Sequence, residues 1–365
     1  MGTVKSKVRV ALLGCGKVAH IYARGLAGLA DAVLAAVWNR TYEKGQDFAG
    51  QYGVTAHRDI EEMVRNESID LVIVCNAHPF HAEAALAAIR AGAHALVEKP
   101  IAMSLADCDA MIAAAKKAGV LLGSIAQRRW YAPVQRVRRA IDDGRIGRPV
   151  LGTVHMLGWR DKRYYDSDPW RGTWKEEGGG VLANQAPHQI DLLQWYMGPV
   201  EELCGYWANL NHPYIEVEDT GVAILRFKGG ALGSIVVSNS QNPALFGKVW
   251  VHGDNGATVG VQTDGGAMFI AGMTTIAEPP INDRWTVPGE EQLLAQWQKD
   301  DAELFTKVPA TEYYHQQQVN DFVQAIREGR APAVTGEDGR KTVEIVTAIY
   351  RSQKEHAPIR FPLTS

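Results

Sequence analysis

A glycine-rich turn between a strand-like run and a helical pattern constrains the fold of this chain most strongly. The apolar run 8–13 leads directly into Gly14-Cys15-Gly16-Lys17-Val18-Ala19. The first glycine allows a tight turn, the second lets backbone amides approach a pyrophosphate, and a small residue at Ala19 lets helix and strand pack closely. The helix N-terminus that follows favours anions. We therefore predict that Gly14, Gly16, Lys17, Val18 and Ala19 bind a dinucleotide.

The first 125 residues alternate between strand-like and helical patterns. The apolar runs lie near 8–13, 33–38, 71–75, 94–97 and 120–125, and the helical patterns lie near 17–29, 42–51, 79–91 and 104–117. Alternation of this kind builds a parallel sheet that is covered on both faces. We predict an α/β fold whose N-terminal Rossmann dinucleotide-binding domain spans residues 1–127.

The pattern changes after residue 128. A helical stretch near 131–143 is followed by β-rich runs near 150–158, 203–209, 220–227, 231–238 and 247–252, and helical patterns return near 312–328 and 338–355. Turn pairs such as Gly229-Gly230 separate several of the runs, as they do in antiparallel hairpins. We predict a C-terminal α+β domain over 128–365 with a mostly antiparallel sheet, and C-terminal helices able to pack back on the first domain. Residues 275–310 carry no clear pattern.

Composition narrows the functional classes. The net charge of −3 gives no reason to expect nucleic acid or an anionic membrane surface as a partner. The four cysteines form no C-x-x-C pair, and no apolar stretch approaches the ~18 residues of a membrane span. We expect a cytoplasmic protein that acts on a small molecule.

The residues that would read the adenosine ribose lack the usual carboxylate. About 20 positions after the turn an NAD enzyme usually carries Asp or Glu, whereas this chain has Trp38-Asn39-Arg40-Thr41. Asn39 can bond a hydroxyl without repelling a phosphate, and Arg40 can stack on adenine or pair with a 2′-phosphate. We predict that NAD(P) is the cofactor and that NADP is favoured over NAD. The alternative is that Arg40 is a solvated surface residue and NAD binds.

A lysine follows a later strand of the same domain. Lys99 lies in Glu98-Lys99-Pro100, directly after the apolar run 93–97. At the carboxyl end of a strand it would meet a substrate where the nicotinamide ends, which indicates hydride-transfer chemistry. The alternative for Lys99 is an ion pair with a nearby carboxylate.

A second group of polar residues follows the triple glycine 178–180. Asn184, His188, Asp191 and Trp195 share one face if a helix starts near Asn184, where Pro187 still falls in the first turn. Oxidation of an alcohol must remove the hydroxyl proton. His188 suits the role of general base, because the ordinary pKa of an imidazole is about 6.5. Lys99 would orient the hydroxyl and share the proton. Asp191 either orients the imidazole or is solvated.

Aromatic and arginine side chains crowd the stretch before the glycines. Such residues suit a polyhydroxylated or anionic ligand, but they are equally normal in a core or a subunit interface. The candidates for substrate binding there are Trp159, Arg160, Tyr165 and Trp174. His78 and His81 have no further ligands at metal spacing, so we predict capping or cofactor contact and no metal.

Together these segments resemble the glucose–fructose oxidoreductase/inositol dehydrogenase (Gfo/Idh/MocA) family. The likeness rests on the ordered set of the glycine turn, Asn76-Ala77-His78-Pro79-Phe80-His81, Glu98-Lys99-Pro100, Gln127-Arg128-Arg129-Trp130, Gly144-Arg145-Ile146-Gly147, and Gly178-Gly179-Gly180 with His188 and Asp191. The resemblance implies a C-terminal domain whose open sheet commonly forms the oligomer interface, and hence a homo-oligomer, dimer or tetramer.

The resemblance also implies roles for residues. The family's E-K-P lysine maps onto Lys99 and its histidine after the triple glycine maps onto His188, but the aspartate four residues before that histidine is Asn184 here. We expect Lys99, His188 and Asn184 to be catalytic and to touch the substrate. The other candidates in these motifs are Asn76, His81, Glu98 and Gln127 for the cofactor, and Arg129 for the substrate.

The resulting functional hypothesis is an NAD(P)-dependent oxidoreductase. It would transfer a hydride between the nicotinamide and a secondary alcohol or ketone of a sugar, cyclitol or glycoside. One alternative is a redox glycosidase or lyase that uses tightly bound NAD(P) transiently. Another is a non-enzymatic dinucleotide-sensing protein, against which the presence of Lys99 and His188 argues.

Overall fold

The computed structural model describes residues 7–266 and 276–365. The chain divides into two compact units, the first comprising 1–127, 311–340 and 365, and the second comprising 128–310 and 341–364. The first unit is therefore built from two distant stretches of sequence.

The first unit is a doubly wound parallel sheet. Six strands lie in the order β3-β2-β1-β4-β5-β6, and every neighbouring pair is parallel. The strands are β1 (Val8–Leu13), β2 (Ala32–Trp38), β3 (Thr55–His57), β4 (Leu71–Val74), β5 (His94–Val97) and β6 (Leu122–Ser124). All four residues of β4 are buried, as expected for a strand covered on both faces. The strand order reverses between β1 and β4, and this is where such sheets bind ligands.

Helices cover the two faces of this sheet. They are α1 (Lys17–Ala27), α2 (Tyr42–Tyr52), α3 (Ile60–Asn66), α4 (His81–Arg90), α5 (Leu105–Ala118) and, from the distant stretch, α10 (Ala310–Glu328). Leu12, Ile73 and Leu96 of the strands share one buried core with Phe322 and Val323 of α10. Ser104 caps α5 by accepting a hydrogen bond from the Asp107 amide.

The second unit contains a largely antiparallel sheet. Among the residues described in this unit, eight strands lie in the order β13-β12-β11-β7-β10-β9-β8-β14, and β7 pairs with β10 in parallel. The strands are β7 (Pro149–Leu157), β8 (Val200–Ala208), β9 (Thr220–Phe227), β10 (Leu232–Ser238), β11 (Phe246–Gly253), β12 (Thr258–Gly265), β13 (Ile281–Trp285) and β14 (Ile359–Arg360). Buried and exposed residues alternate along β9, so one face of the sheet is packed and the other is open.

Further α-helices lie within 7–266 and 276–365. They are α6 (Ala132–Asp142), α7 (Lys162–Asp166), α8 (Pro187–Met197), α9 (Leu293–Lys307) and α11 (Gly336–Glu355). This architecture confirms the predicted fold class. The unassigned stretch 275–310 contains β13 and α9. Among the described residues, no helix is both long and apolar enough to cross a bilayer.

Candidate active site

The glycine turn between β1 and α1 has the shape that a dinucleotide requires. Gly14 has a φ of +109°, and a Cβ there would lie 2.6 Å from the Asn76 backbone nitrogen, so only glycine fits. A Cβ at Gly16 would meet nothing within 4 Å, because this side of the turn opens to space. Gly16 begins α1 without a side-chain cap, and Lys17, Val18 and Ala19 form the first helical turn. An uncapped helix start facing open space fits a pyrophosphate.

Two amide side chains at the carboxyl edge of this sheet have a side-chain oxygen that accepts no hydrogen bond from the described residues. The Oδ1 of Asn76, after β4, is buried and has no hydrogen-bond partner among the described residues, while its Nδ2 donates to the Phe80 carbonyl at 3.2 Å. The Oε1 of Gln127 is likewise buried without a partner. Buried acceptors are normally satisfied. The residues present therefore fit a bound dinucleotide, whose hydroxyl or carboxamide donors could serve these oxygens.

His81 has a structural role that the sequence did not predict. Its ring is fully buried, with Nδ1 2.8 Å from the Pro100 carbonyl oxygen and Nε2 3.1 Å from the Asn76 carbonyl oxygen. Burial lowers the pKa of His81 below its ordinary value. Both ring nitrogens thus face backbone carbonyl oxygens, and a cofactor contact through His81 stays a prediction. The ring fastens the end of β4 to the segment that follows Lys99.

The two residues at the ribose position behave differently. Asn39 Oδ1 accepts from the Cys15 amide at 3.0 Å, and its Nδ2 donates to the Thr41 carbonyl at 2.7 Å. Arg40 is exposed, and its guanidinium lies 4.1 Å from the centroid of the Phe80 ring. Stacking on an aromatic ring orients a guanidinium while leaving its N–H groups directed outward. Arg40 is thus held in place with an edge that can meet a phosphate.

Lys99 follows β5 and is half-buried. The carboxylate of the preceding Glu98 accepts from the hydroxyl of Tyr22 on α1 at 2.5 Å and from the Lys99 amide at 3.0 Å. Burial and the neighbouring Glu98 raise the pKa of Tyr22 well above its usual range. The carboxylate of Glu98 thus ties the cofactor-binding helix to the backbone that carries Lys99.

The helix bearing His188 starts later than predicted. Residues 181–185 form one π-helical turn, and the α-helix α8 begins at Pro187, with His188 as its second residue. Proline is favoured at this first position because its missing N–H would be unpaired there anyway. The prediction that Asn184 lies on the same α-helix as His188 was wrong, since the extra residue in the π turn breaks the spacing. π turns occur frequently at functional sites.

Asp191 is buried and paired with an arginine. It is 6% exposed, and its two oxygens accept from Arg129 Nε at 2.9 Å and from the terminal nitrogen Nη2 at 2.6 Å. Arg129 is itself buried, and its guanidinium lies 4.9 Å from the Trp195 ring. The solvated alternative for Asp191 was wrong, and orientation of the imidazole by Asp191 stays a prediction. A bidentate pair with Asp191 occupies Arg129, which argues against its predicted substrate contact.

Two buried carboxylates that the sequence analysis missed hold the π turn. Glu177 accepts from the Asn184 side-chain amide and, at 2.6 Å, from the Gly172 amide. Glu218 accepts from the Gly180 amide at 2.9 Å and from the Leu182 amide at 3.0 Å. Glu218 therefore restrains the start of the turn through two backbone N–H groups, and Glu177 ties the Asn184 side chain of the turn to the backbone at Gly172. Glu177 could have been suspected, because it directly precedes the triple glycine.

The pKa of the Glu218 carboxyl group is also shifted. Tyr350 on α11 donates its hydroxyl to Glu218 at 2.9 Å, in addition to the two backbone amides. Burial raises the pKa of Glu218 to about 7, although the three donors partly oppose this. Glu218 is therefore a buried carboxyl that titrates near neutral pH.

The predicted aromatic and arginine candidates lie in two packed clusters. Trp159 and Tyr165 pack on the fully buried His212, with ring centroids 5.4 and 5.7 Å away. Arg160 is buried, with its guanidinium 4.9 Å from the Tyr164 ring. These contacts favour the core alternative for this group.

Trp174 belongs to the second cluster. It packs on Trp207 and Tyr350, and its Nε1 donates to the Glu216 carbonyl at 3.0 Å. Substrate binding by Trp159, Arg160, Tyr165 and Trp174 stays a prediction. Within 7–266 and 276–365, no group of three or more His, Cys, Asp or Glu side chains could hold a metal ion.

Comparison with known proteins identifies the family. The model of the NAD-binding Rossmann fold of the oxidoreductase family Gfo/Idh/MocA matches residues 8–125, and the model of the Gfo/Idh/MocA C-terminal domain matches residues 134–259. The chain belongs to the Gfo/Idh/MocA family. It is an NAD(P)-dependent oxidoreductase.

Individual members of this Gfo/Idh/MocA family resemble the chain over nearly its whole length. The myo-inositol 2-dehydrogenase of Thermotoga maritima is 27% identical, over 97% of this chain and 98% of that protein. The 1,5-anhydro-D-fructose reductase of Ensifer adhaerens is 30% identical, over 91% and 92%. The crystal structure of the WlbA dehydrogenase from Bordetella pertussis, in complex with NADH and UDP-GlcNAcA, is 29% identical with a TM-score of 0.86, covering 99% of each chain.

Proposed function

We propose that the protein transfers a hydride between a nicotinamide dinucleotide and a secondary hydroxyl or ketone of a sugar or cyclitol. The observation that carries the proposal is the uncapped glycine turn at Gly16, in the same unit as Lys99 at the end of β5. The named substrates of similar proteins, an inositol and an anhydro-sugar, support this substrate class.

We infer the following roles for the residues of the site. His188 takes the proton from the hydroxyl during oxidation, since an imidazole can hold that proton near neutral pH. Lys99 orients the same hydroxyl and shares its proton. Asn184 holds a hydroxyl of the substrate. The bound nicotinamide supplies the hydride chemistry, and the protein supplies binding, orientation and proton transfer.

We further propose that NADP is preferred over NAD. The support lies at Arg40, which stacks on Phe80. Asn39 carries no charge that would repel a 2′-phosphate, and Arg40 offers N–H donors to it.

A cofactor and substrate screen tests the function. Purified protein is mixed with NAD(H) or NADP(H) and with inositols, 1,5-anhydro-D-fructose and sugar nucleotides that carry a uronate, and absorbance of the reduced cofactor is followed. We expect a net absorbance change with at least one polyol or ketone. Substrate conversion without net change would indicate the transient redox cycle of a glycosidase or lyase. Cofactor binding without any conversion would favour a dinucleotide sensor.

We propose that the open face of the second sheet forms a homo-oligomer. Side chains of four neighbouring strands on this face are apolar and exposed, by 69% at Tyr206, 42% at Val222, 66% at Ile224, 54% at Leu232 and 38% at Leu151. A contiguous apolar patch on a folded protein usually marks an interaction site. A second copy of this chain offers a matching apolar face through a two-fold axis.

Light scattering during size-exclusion chromatography tests this interface. We expect a mass that is two or four times the 40.0 kDa of the chain, and Ile224→Arg should reduce it. Leu210→Arg is the matched control, because Leu210 is 72% exposed but lies outside the sheet. A wild-type mass of one chain would rule the oligomer out.

A further inference from the structure

The amide of Asn184 is bound to a buried carboxylate. Glu177 is 1% exposed, and one of its oxygens accepts from the Gly172 amide at 2.6 Å. Its other oxygen accepts from Asn184 Nδ2. Asn184 is itself only 7% exposed. A buried carboxylate with two N–H donors is well satisfied and holds each donor in a defined direction.

The Asn184 amide nitrogen has a second and longer contact inside the protein. Asn184 Nδ2 lies 3.3 Å from the Tyr164 hydroxyl oxygen. Arg171 donates to the same oxygen, and a guanidinium can only donate, so this oxygen acts as an acceptor. Gln185 Nε2 also donates to this oxygen, at 2.9 Å, and a phenol oxygen has two lone pairs, so the bond to Glu177 is the contact that fixes the direction of Nδ2.

These contacts decide which way the amide faces. A carboxylate accepts hydrogen bonds but cannot donate them, so Nδ2 and not Oδ1 must face Glu177. We propose that Glu177 is a positioning residue that makes Asn184 present its carbonyl oxygen, a pure acceptor, to a hydroxyl of the substrate. This inference rests on the proposed function, because it names how that site recognises its alcohol.

The arrangement has a consequence for substrate choice. An acceptor at Asn184 binds a hydroxyl, which can donate, and disfavours a group that can only accept. It also explains how a chain with an amide at position 184 retains a carboxylate nearby. Here the carboxyl group belongs to Glu177, which is hydrogen-bonded to the amide.

Exchanging the two groups gives a sharp test. In Asn184→Asp two carboxylates face each other in a buried site, which is strongly unfavourable. In Glu177→Gln the partner can donate or accept, so the Asn184 amide is free to turn over. The double variant Glu177→Gln/Asn184→Asp restores one donor and one acceptor in reversed order, and again presents an acceptor oxygen to the substrate.

We would measure kcat and KM for the best alcohol from the screen, together with the melting temperature and the dissociation constant of the dinucleotide. We expect each single variant to lose about tenfold or more in kcat/KM, and the double variant to recover about tenfold over Asn184→Asp, as coupled neighbours do. The melting temperature of Asn184→Asp should fall and recover in the double variant. Dinucleotide affinity should stay unchanged throughout. Glu176→Gln, at the half-exposed neighbouring glutamate, is the matched control.

If the fold-losses in kcat/KM of the two single variants multiply in the double variant, the inference is overturned, because residues that are not coupled behave independently. A Glu177→Gln variant with wild-type kcat/KM would also overturn it. Absence of turnover in the wild type and in every variant is a different outcome, which would reject the proposed function and this inference together.

Discussion

Asn39 at the end of β2 accepts a hydrogen bond from the backbone amide of Cys15 at 3.0 Å. This bond ties the glycine turn to the neighbouring strand. Burial raises the pKa of the Cys15 thiol to about 11, and the protonated thiol donates to the Trp38 carbonyl of that strand at 3.9 Å. Both groups of the Asn39 amide are engaged by the protein itself. Arg40 is therefore the residue at this edge best placed to distinguish the two cofactors.

We predict that wild-type protein binds NADP(H) more tightly than NAD(H), and that Arg40→Ala abolishes the difference. One charge-assisted contact with the 2′-phosphate is worth about 1.5–3 kcal/mol, or roughly 10- to 150-fold in affinity. Fluorescence titration with both cofactors measures this. Arg65→Ala is the control, because Arg65 is exposed and pairs with Glu61. Tighter binding of NAD(H) to the wild type would contradict the prediction.

Lys99→Ala should lower turnover by about 100-fold or more, the scale of lost acid–base assistance. Dinucleotide affinity should change little, because the glycine turn is left intact. Steady-state kinetics and cofactor titration on the same preparation separate the two effects. Lys116→Ala, at an exposed lysine of α5, should behave as wild type. Turnover within a few-fold of wild type would remove Lys99 from the proposed mechanism.

The oxidation rate should fall on the acidic side as His188 gains a proton, because imidazolium cannot act as a base. His188→Ala should lose this acidic limb and most of the activity. The measurement is kcat/KM for oxidation across the accessible pH range. An acidic limb that survives unchanged in His188→Ala would assign the base to another group.

From the raised pKa of Glu218 we predict that the stability of the folded protein depends on pH. Its pKa is raised from 4.5 to about 7 in the folded protein by burial. Between these values the folded state keeps a proton that the unfolded state releases, so this group lowers stability as pH rises from 4.5 to 7, by about 3 kcal/mol in total. Glu218→Gln cannot titrate and should flatten that decline. Urea unfolding at several pH values measures it.

The control for this prediction is Glu201→Gln, since Glu201 is exposed. Its pH dependence should match that of the wild type. Glu218→Gln is expected to be less stable at every pH, because it loses an acceptor for the π turn. The diagnostic quantity is therefore the slope with pH and not the absolute stability. An unchanged slope in Glu218→Gln would refute the assignment.

The fold was largely predictable because its signals are local. The strand-turn-helix at Gly14 and the alternation that follows dictate a parallel sheet, and the structure confirms it. The short elements β3 and α3 were missed, since three and seven residues carry little periodicity. The α-helix beginning at Pro187 was placed three residues early, because the preceding π turn follows no helical spacing.

The site was less predictable because its partners are distant in sequence. Arg129 and Asp191 are 62 positions apart, and no local sequence pattern indicates that they form an ion pair. The contacts of Glu218 with Gly180 and Tyr350 span 38 and 132 positions. Lys99 and His188 could be named because each follows a recognisable motif, whereas the residues that orient the site are defined only by tertiary structure.

The first unit combines residues 1–127 with the distant segment 311–340, and this affects when the unit can fold during synthesis. Phe322 lies in the core beside Leu12, and a Cβ at Gly123 would lie 2.6 Å from the Phe322 ring. The ribosome must therefore synthesise all of residues 128–310 before the helix that completes this core emerges. Until then the N-terminal sheet has one incompletely covered face, so the dinucleotide-binding unit, although first in sequence, cannot finish folding before residues 311–340 have been made. A fragment ending at residue 127 should accordingly be prone to aggregation.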